Sequence, residues 1–476
     1  MRRASRRRRE SLLRVSPLSP LIAFTVISVA AAGIEAQLPT RMEGDTLVLS
    51  LDEIEAIALE NSPGLAPAAA AVGLAEAQYG EARHARFLPE FTLRNVWGPA
   101  PVASAEFTEF GVLVSPDTMT GLGDLTWFTQ LDLEFVQPVY TFGKIGSRID
   151  AAKHQIEVRE SEAAMTRAAL LERVRKVYWA SLLAEELERV SASLTERMLE
   201  AETRLNELYE EGSATQNDLF RFEIFRYEAR SRTREIEVGR ATSRAGLLSL
   251  LGLDPETPMR LEATSLEALD VTLDSLQVYI DQAVQLRPEM RALEAGVAAR
   301  RSLLNAARAD LRPSFFLAGS FAFNHSPGRD DPRNPFVDNP TNFSRPALLF
   351  GVDWNLNFRR TSDQVRAEEF ELARVQARVP AAQFQIAQEV REAYLEVRRA
   401  RQDVEEGQQA LTASESLLRA ELQTFDIGLG NIEDVISAFE SNVEMTVEQF
   451  SNIERLNAML TELSRRIGRD LPGVSD

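Results

Sequence analysis

Acidic side chains are the residues of this 476-residue chain that most readily suggest chemistry, because 72 Asp and Glu face 53 Lys and Arg. Pairs of carboxylates can serve as general acid and base. Here they recur along helical segments, where a solvated surface is the ordinary explanation. The histidines His84, His154 and His325 are too scattered to predict a metal site, and Gly143-Lys144-Ile145 lacks the Ser or Thr of a phosphate loop. We therefore predict no enzyme activity, no cofactor and no metal.

The composition excludes further classes of function. A net charge of −19 argues against nucleic acid as a partner, because phosphate binding requires a basic surface. The chain contains no cysteine, which rules out disulfides, thiolate catalysis and a lipid-modified N-terminal cysteine. After the first 36 residues, no stretch approaches the length of an apolar membrane helix.

Residues 1–36 have the features of a secretory signal peptide. Seven arginines lie between Arg2 and Arg14, an apolar stretch follows from Leu18 to Ala32, and a small residue, Ala36, precedes a cut at Gln37. A basic nucleic-acid-binding arm is the alternative, but such an arm would not need the apolar stretch. Removing the leader's seven Arg and two Glu leaves 46 basic and 70 acidic residues, a net charge of −24.

The rest of the chain repeats itself with an offset of 216 residues. The matched pairs include Tyr178 and Tyr394, Arg175 and Arg391, Gly212 and Gly428, Asp218 and Asp434, and Gly252 and Gly468. A repeat of this length is too long for a small solenoid unit. It predicts two similar halves placed side by side.

Each half contains a very long predicted helix. Apolar residues recur every seven positions from Ile149 to Leu205, and again from Val365 to Ala400, where Pro380 predicts a kink. This period is typical of helices packed along a coiled-coil seam. At about 1.5 Å per residue such a helix spans about 100 Å, far more than a compact domain needs.

Four segments alternate apolar with polar or small residues, which predicts strands with one apolar face. Any one of them could belong to a soluble sheet. Together, in hairpin pairs behind a signal peptide, they favour a membrane β-barrel. A closed barrel takes about eight strands, so several chains must contribute. The polar faces predict five side chains in the barrel lumen: Asp132, Glu134, Asp353, Asn355 and Asn357.

These patterns divide the mature chain into two repeats joined by a linker or equatorial segment at 253–273. The first repeat, 37–252, has strands near 91–97 and 125–136, a long helix near 144–208 and a return helix at 215–251. The second repeat, 274–468, has strands near 314–323 and 347–358, a long helix near 361–424 and a return helix at 431–467. The predicted outward loops are 98–124 and 324–346, and 469–476 form a C-terminal tail.

Several stretches, in this order, resemble the TolC-type outer-membrane efflux family over about residues 50–468. They are Gln137-Pro138-Val139-Tyr140-Thr141-Phe142-Gly143 at the strand-to-helix junction, the turn Tyr209-x-x-Gly212-x-x-x-x-x-Asp218-Leu219, its copy Phe425-x-x-Gly428-x-x-x-x-x-Asp434-Val435, and the helix end Leu247-Leu248-x-Leu250-Leu251-Gly252. Pro138 and Gly143 mark the first junction. The second half departs from this pattern, with Arg359 and Arg360 and no nearby proline.

The resemblance implies a mainly α fold with a membrane β-barrel. The expected assembly is a homotrimer in the outer membrane, with a 12-stranded barrel of four strands per chain standing on a periplasmic tube of 12 helices. The expected function is a passive exit duct of a tripartite efflux or type I secretion system. Its expected partners are a periplasmic adaptor (membrane fusion) protein, an inner-membrane pump of the proton-driven or ABC type, and outer-membrane lipid. A periplasmic coiled-coil adaptor or scaffold without a pore is the alternative.

The resemblance also implies a gate at the periplasmic tip. Gly212 and Gly428 lie where the long helices turn back, and glycine permits the backbone angles of such turns. In the family, the acid at the position of Asp434 lines the narrowest part of the closed tunnel, so that a trimer would carry a ring of carboxylates that attracts cations. Glu433 either joins this ring or is solvated. Asp218 is a gate candidate that we interpret first as a helix cap.

Overall fold

The computed structural model describes residues 41–43, 46–102, 106–107, 113–114, 125–329, 339, 341–427 and 429–473. The predicted signal peptide, Gly428 and the last residues of the tail lie outside this part of the chain. In chain order the elements are β1 (Arg41–Glu43), β2 (Thr46–Leu49), α1 (Leu51–Asn61), α2 (Ala66–Phe87), β3 (Glu90–Pro101), β4 (Glu106–Phe107), β5 (Leu113–Val114), β6 (Leu125–Tyr140), α3 (Lys144–Glu210), α4 (Gln216–Leu250), β7 (Met259–Leu261), α5 (Leu276–Leu286), α6 (Pro288–Ala309), β8 (Ser314–His325), β9 (Phe343–Asp353), α7 (Phe358–Asp426) and α8 (Ile432–Ile467).

The prediction of a strand through 358 was wrong, because β9 ends at Asp353. The backbone N–H of Asn357 donates to the side-chain oxygen of Asn355 at 3.0 Å, a local bond that competes with an extended ladder. Asn357 is the residue directly before α7, which begins at Phe358. Asn355 and Asn357 therefore lie between strand and helix rather than on the sheet. Farther along, α7 continues as a helix through Pro380.

The four long strands form one antiparallel sheet in the order β3-β6-β8-β9. Directly opposite residues share a face, so the register defines both faces. Leu93, Leu133, Phe321 and Pro346 form one row of an apolar face. This face is open to solvent in the single chain: Phe91 is 64% exposed, Leu348 68% and Phe350 65%. A contiguous apolar surface of this kind marks a lipid or protein contact.

A small three-stranded sheet joins the two halves. β1 pairs with β2 in antiparallel fashion, and β2 pairs with β7 in parallel, with Leu47 opposite Met259 and Leu49 opposite Leu261. The ends of this pairing are buried, since Leu49 is 0% and Leu261 3% exposed. The sheet therefore holds the start of the first repeat against the segment that leads into the second.

The long helices form two hairpins that pack on each other. α3 turns back into α4, α7 turns back into α8, and α3 also packs against α8. One buried cluster, which includes Tyr279, Val390 and Leu460, joins α5, α7 and α8. Within the described residues, no helix combines the length and the apolar character needed to cross a membrane.

Arg175 is a buried cation on α3 that binds both α1 and the segment after α8. Its side chain is 4% exposed and lies between Glu55 on α1 and Asp470 after α8, each 2.5 Å away. Burial opposes the charge of the guanidinium, but hydrogen bonds to Asp470 and Glu55 outweigh that effect and raise the pKa of Arg175. The bonds to both carboxylates are bidentate, the geometry that suits arginine best.

A chain of alternating charges extends this region across the other long helices. Its members, each in contact with the next, are Glu289, Arg287, Glu389, Arg466, Glu462, Lys176, Glu172 and Arg465. Burial opposes the charge of Glu389 and Glu462, yet hydrogen bonds from Arg287 and Lys176 keep the pKa of each carboxyl below its usual value. These ion pairs connect α3, α6, α7 and α8.

We predict that Arg175→Ala destabilises the protein by about 3 kcal/mol, because two carboxylates that a buried guanidinium holds would lose their partner. The melting temperature of the detergent-solubilised full chain, followed by far-ultraviolet circular dichroism, measures the effect. The matched control is Arg391→Ala, because Arg391 occupies the repeat-equivalent position but is exposed and contacts Gln388. Equal melting temperatures for the two variants would contradict the prediction.

Candidate functional site

The two tip turns are built in the same way, 216 residues apart. After α3, the N–H groups of Ser213 and Ala214 both donate to the carbonyl of Leu208, at 2.8 and 3.0 Å. After α7, the N–H groups of Leu429 and Gly430 both donate to Thr424, at 3.1 and 3.0 Å. These bonds satisfy carbonyl groups that the helix ends would otherwise leave unpaired.

Glycine serves the first turn as expected. Gly212 has a φ of 80°, in the left-handed region that glycine adopts without a steric cost. Its equivalent, Gly428, lies outside the described residues, so its predicted role stays a prediction.

An aromatic core holds the two hairpin tips together. Phe225 on α4 lies 6.2 Å from Phe439 on α8, measured between ring centroids. Both rings are buried, together with Leu208 from α3 and Phe425 from α7. The tip of one chain is therefore a packed four-helix unit, and the acidic residues of the gate prediction lie on its surface.

The two acidic residues of the repeat have different surroundings. The carboxylate of Asp218 accepts from the backbone N–H of Thr215 at 2.8 Å and from its hydroxyl at 2.7 Å, a capping arrangement at the start of α4. At the start of α8, the side chain of Asn431 caps the N–H of Asp434 at 2.9 Å. Among the described residues, none donates to the carboxylate of Asp434, which is exposed. Asp434 is therefore available for a contact outside its own chain.

Two ion pairs connect the first hairpin with the second at the tip. Arg221 on α4 binds Glu433 on α8. Arg204 on α3 lies 4.0 Å from the carboxylate of Asp426, at the end of α7, and also donates to the backbone carbonyl of Asp426 at 3.0 Å. Glu433 thus has a partner within its own chain. Sequence reasoning missed both arginines, because their partners lie 212 and 222 residues away along the chain. Their signal was a cation on each side of the first tip turn.

The polar face of the long-stranded sheet carries a row of charges. Arg94, Asp132, Ala322 and Arg345 lie directly opposite one another on β3, β6, β8 and β9. Asp132 also accepts a hydrogen bond from Gln130 at 2.8 Å. Glu134 lies one row away, opposite Thr92 and Ser320, and Asp353 lies at the end of β9, opposite Ser314. The predicted lumen acids Asp132, Glu134 and Asp353 therefore share one face, and the two arginines were not predicted.

The two connections from sheet to long helix differ. In the first, the ladder register shifts between Pro138 and Tyr140, and Phe142 and Gly143 have φ angles of 50° and 89°. Two consecutive left-handed residues make a sharp turn into α3. The second connection has no proline, and the indole N–H of Trp354 instead donates to the carbonyl of Leu311 at 3.2 Å.

Across the described residues, no group of three or more His, Asp or Glu side chains is placed to hold a metal. The acidic residues of the tip and of the sheet are separate surface features, and each faces caps, cations or solvent. The chain therefore has one charged surface at the tip and another on the polar face of the sheet, at opposite ends of the long helices.

The fold is that of an outer-membrane channel. Solved structures with this fold include the outer-membrane channel OprN (17% identity, TM-score 0.69, covering 88% of this chain and 89% of that one). They also include the CmeC channel of Campylobacter jejuni (16%, 0.69, 90% and 87%) and the MtrE channel of Neisseria gonorrhoeae in its open state (17%, 0.69, 90% and 90%). Among curated protein sequences, none matches this chain.

The model of the outer membrane efflux protein family matches residues 56–253 and 279–449, most of the chain. The chain belongs to this family. It is an exit duct in the outer membrane, with its helices extending into the periplasm, as the resemblance predicted. Proteins of the family transport rather than catalyse, and they work with an adaptor and an inner-membrane pump. Nothing in the comparisons favours the alternative of an adaptor without a pore.

The cap geometry predicts that Asp218→Ala and Asp434→Ala have different local effects. Loss of the Asp218 carboxylate should destabilise the first turn of α4 by about 1 kcal/mol, which raises its amide exchange rates about fivefold. Asp434→Ala should leave the first turn of α8 unchanged, because Asn431 supplies that cap. Hydrogen–deuterium exchange of the detergent-purified protein measures both. Equal acceleration in both variants would contradict this assignment.

Proposed function

We propose that three copies of this chain close a 12-stranded barrel above a 12-helix tube and form a gated, passive exit duct. The observation that carries the proposal is the sheet β3-β6-β8-β9, with an exposed apolar face and two open edges. β3 has 12 residues and β9 has 11, and each is paired on one side only in the described part of the chain. Strands of about 9–11 residues suffice to cross a membrane.

The open edges support closure by copies of the same chain. β9 runs towards the helices and β3 runs away from them, so β9 of one protomer can pair with β3 of the next in antiparallel fashion. Such a head-to-tail contact generates a ring when the rotation closes. Closure pairs every backbone group along the edges, which lipid requires because it offers no hydrogen-bonding partner.

The helices offer a second surface for the same assembly. On α4, Phe220, Ile224 and Tyr227 are 58–68% exposed and share one helix face. On α7, Phe370 is 70% and Phe384 is 76% exposed, opposite the buried face that packs on α8. Water-exposed aromatic stripes at this spacing are typical of helices that pack on a neighbour. The α4 stripe lies close to the tip and the α7 stripe lies closer to the sheet, so a neighbouring protomer would cover each of them by a separate contact.

We propose that the gate lies at the tip of the tube, where α8 begins with Glu433 and Asp434 in its first turn. In a trimer, three copies of Asp434 would approach the threefold axis, where carboxylates attract cations and restrict the aperture. The pairs Arg221–Glu433 and Arg204–Asp426 would hold the two hairpins of each protomer together. Because both pairs are exposed, each is worth at most about 1 kcal/mol. A tip held by weak, reversible links is suited to opening by a partner.

We propose that a separate inner-membrane pump supplies the energy for export. Family members work with a periplasmic adaptor protein and an inner-membrane pump, and we propose partners of both kinds for this chain. The pump would be of the proton-driven or ABC type.

We predict that Asp434→Ala increases the resting conductance of the channel in a planar lipid bilayer or weakens its block by cations, because the ring loses its charge. Asp218→Ala is the matched control, since its carboxylate caps α4, and it should leave both properties unchanged. If Asp434→Ala has wild-type conductance and block, the gate is held by other residues.

We also predict that Phe384→Glu weakens the trimer, because a charge would replace an aromatic ring at each of three contacts. The loss is about 2 kcal/mol of apolar burial per contact. Native mass spectrometry in detergent measures the fraction of trimer. Arg378→Glu, an exposed change on the same helix, is the control and should remain trimeric. A fully trimeric Phe384→Glu protein would exclude this stripe from the interface.

A further inference from the structure

Exposed arginines and exposed apolar residues occur together at both edges of the long-stranded sheet, where the strands meet the helices. We call these residues the arginine collar. At the β3 edge it comprises Arg83, Arg86, Phe87 and Leu88. At the β9 edge it comprises Leu356, Phe358, Arg359 and Arg360. Phe87 is 63%, Leu88 60% and Leu356 65% exposed.

The arginines of the collar have no ion-pair partner in the described part of the chain. Arg86 lies over the ring of Phe87, 5.3 Å from its centroid, which leaves its N–H groups open. The nearest acid to Arg359 and Arg360 along α7 is Asp363, which lies 3.9 Å from Arg366. The strand acids at this level, Glu90 and Asp353, lie on the polar face of the sheet with Glu134, opposite to the apolar face.

Helix electrostatics does not explain the cations at the β9 edge. The N-terminus of a helix carries partial positive charge, so a cation in the first turn is unfavourable. α7 nevertheless begins Phe358-Arg359-Arg360, with no acid in its first turn. Arg83 and Arg86 lie near the C-terminus of α2, where a cation is favourable, and the helix accounts for them in part.

The proposed trimer would bring the two halves of the collar together. If β9 of one protomer pairs with β3 of the next, the end of β9 and the start of β3 lie side by side at the helical end of the barrel. Arg359 and Arg360 of one protomer would then face Arg83 and Arg86 of its neighbour. Four cations at one seam repel one another unless an anion lies between them.

We propose that each seam between protomers binds the phosphate of an anionic phospholipid from the periplasmic leaflet. The inference rests on the proposed trimer. The guanidinium fork matches phosphate oxygens in charge and geometry, and the exposed Phe87, Leu88 and Leu356 would contact the acyl chains. Aromatic side chains beside the apolar band are typical of the membrane interface. The collar thus completes its binding site only when a second copy of the chain is present.

Native mass spectrometry of the full-length protein in detergent tests the proposal, with phosphatidylglycerol, phosphatidylcholine or inorganic phosphate added. We expect the wild-type trimer to retain phosphatidylglycerol, up to one molecule per seam, in preference to phosphatidylcholine. The double variant Arg359→Gln with Arg360→Gln should retain about tenfold less. The matched control is Arg398→Gln with Arg399→Gln, an adjacent, exposed arginine pair farther along α7, and it should behave as wild type.

Each other outcome has a definite meaning. Equal retention of phosphatidylglycerol by wild type and the Arg359/Arg360 variant would overturn the lipid site, as would equal retention of phosphatidylcholine by the wild type. Displacement of the lipid by inorganic phosphate would show that the site takes a free anion instead. Spectra with monomers only would refute the trimer itself, so failure of the proposed function is distinguishable from failure of the lipid site.

Discussion

An antiparallel sheet with two open edges and an exposed apolar face leaves hydrogen-bonding groups and apolar surface unsatisfied. Every backbone N–H and C=O in a membrane must find a partner within protein, and each one left unpaired costs several kcal/mol. The strands β3 and β9 have such groups along one edge. The proposed ring of three chains follows from this requirement, and the apolar stripes of α4 and α7 would close the tube below it.

The ionic contacts at the middle of the molecule position the rest. Arg175 holds α1, α3 and the segment after α8 together, and the alternating charges from Glu289 to Arg465 connect α3, α6, α7 and α8. Buried charges are costly unless they are paired, so these contacts favour one arrangement of the helices over alternatives. The two long hairpins extend from these contacts to the tip, where a shared aromatic core holds them together.

The duplicated halves share a backbone and differ in their side chains. The tip turns repeat the same hydrogen bonds with an offset of 216 residues. Yet the carboxylate of Asp218 accepts from the backbone N–H of Thr215, whereas at the second turn the side chain of Asn431 accepts from the N–H of Asp434 and no described residue donates to the carboxylate of Asp434. At the middle of the molecule, Arg175 is buried between two carboxylates, whereas Arg391 lies exposed beside Gln388. The two halves therefore share a backbone turn but place equivalent side chains in different surroundings.

Periodicity alone determined much of this protein: heptad spacing predicted the long helices, alternation predicted the four strands, and the 216-residue offset predicted two similar halves. These are local patterns, and a chain carries them whatever it packs against. The alternation pattern wrongly predicted that β9 continues to 358. The strand ends earlier because of a turn at Asn355, which depends on a single side-chain hydrogen bond. Sequence reasoning also missed the contacts of Arg175 with its carboxylates, the pairs Arg221–Glu433 and Arg204–Asp426, and the arginines Arg94 and Arg345 on the polar face of the sheet. Those partners lie far apart along the chain, and only tertiary packing decides which distant charges meet.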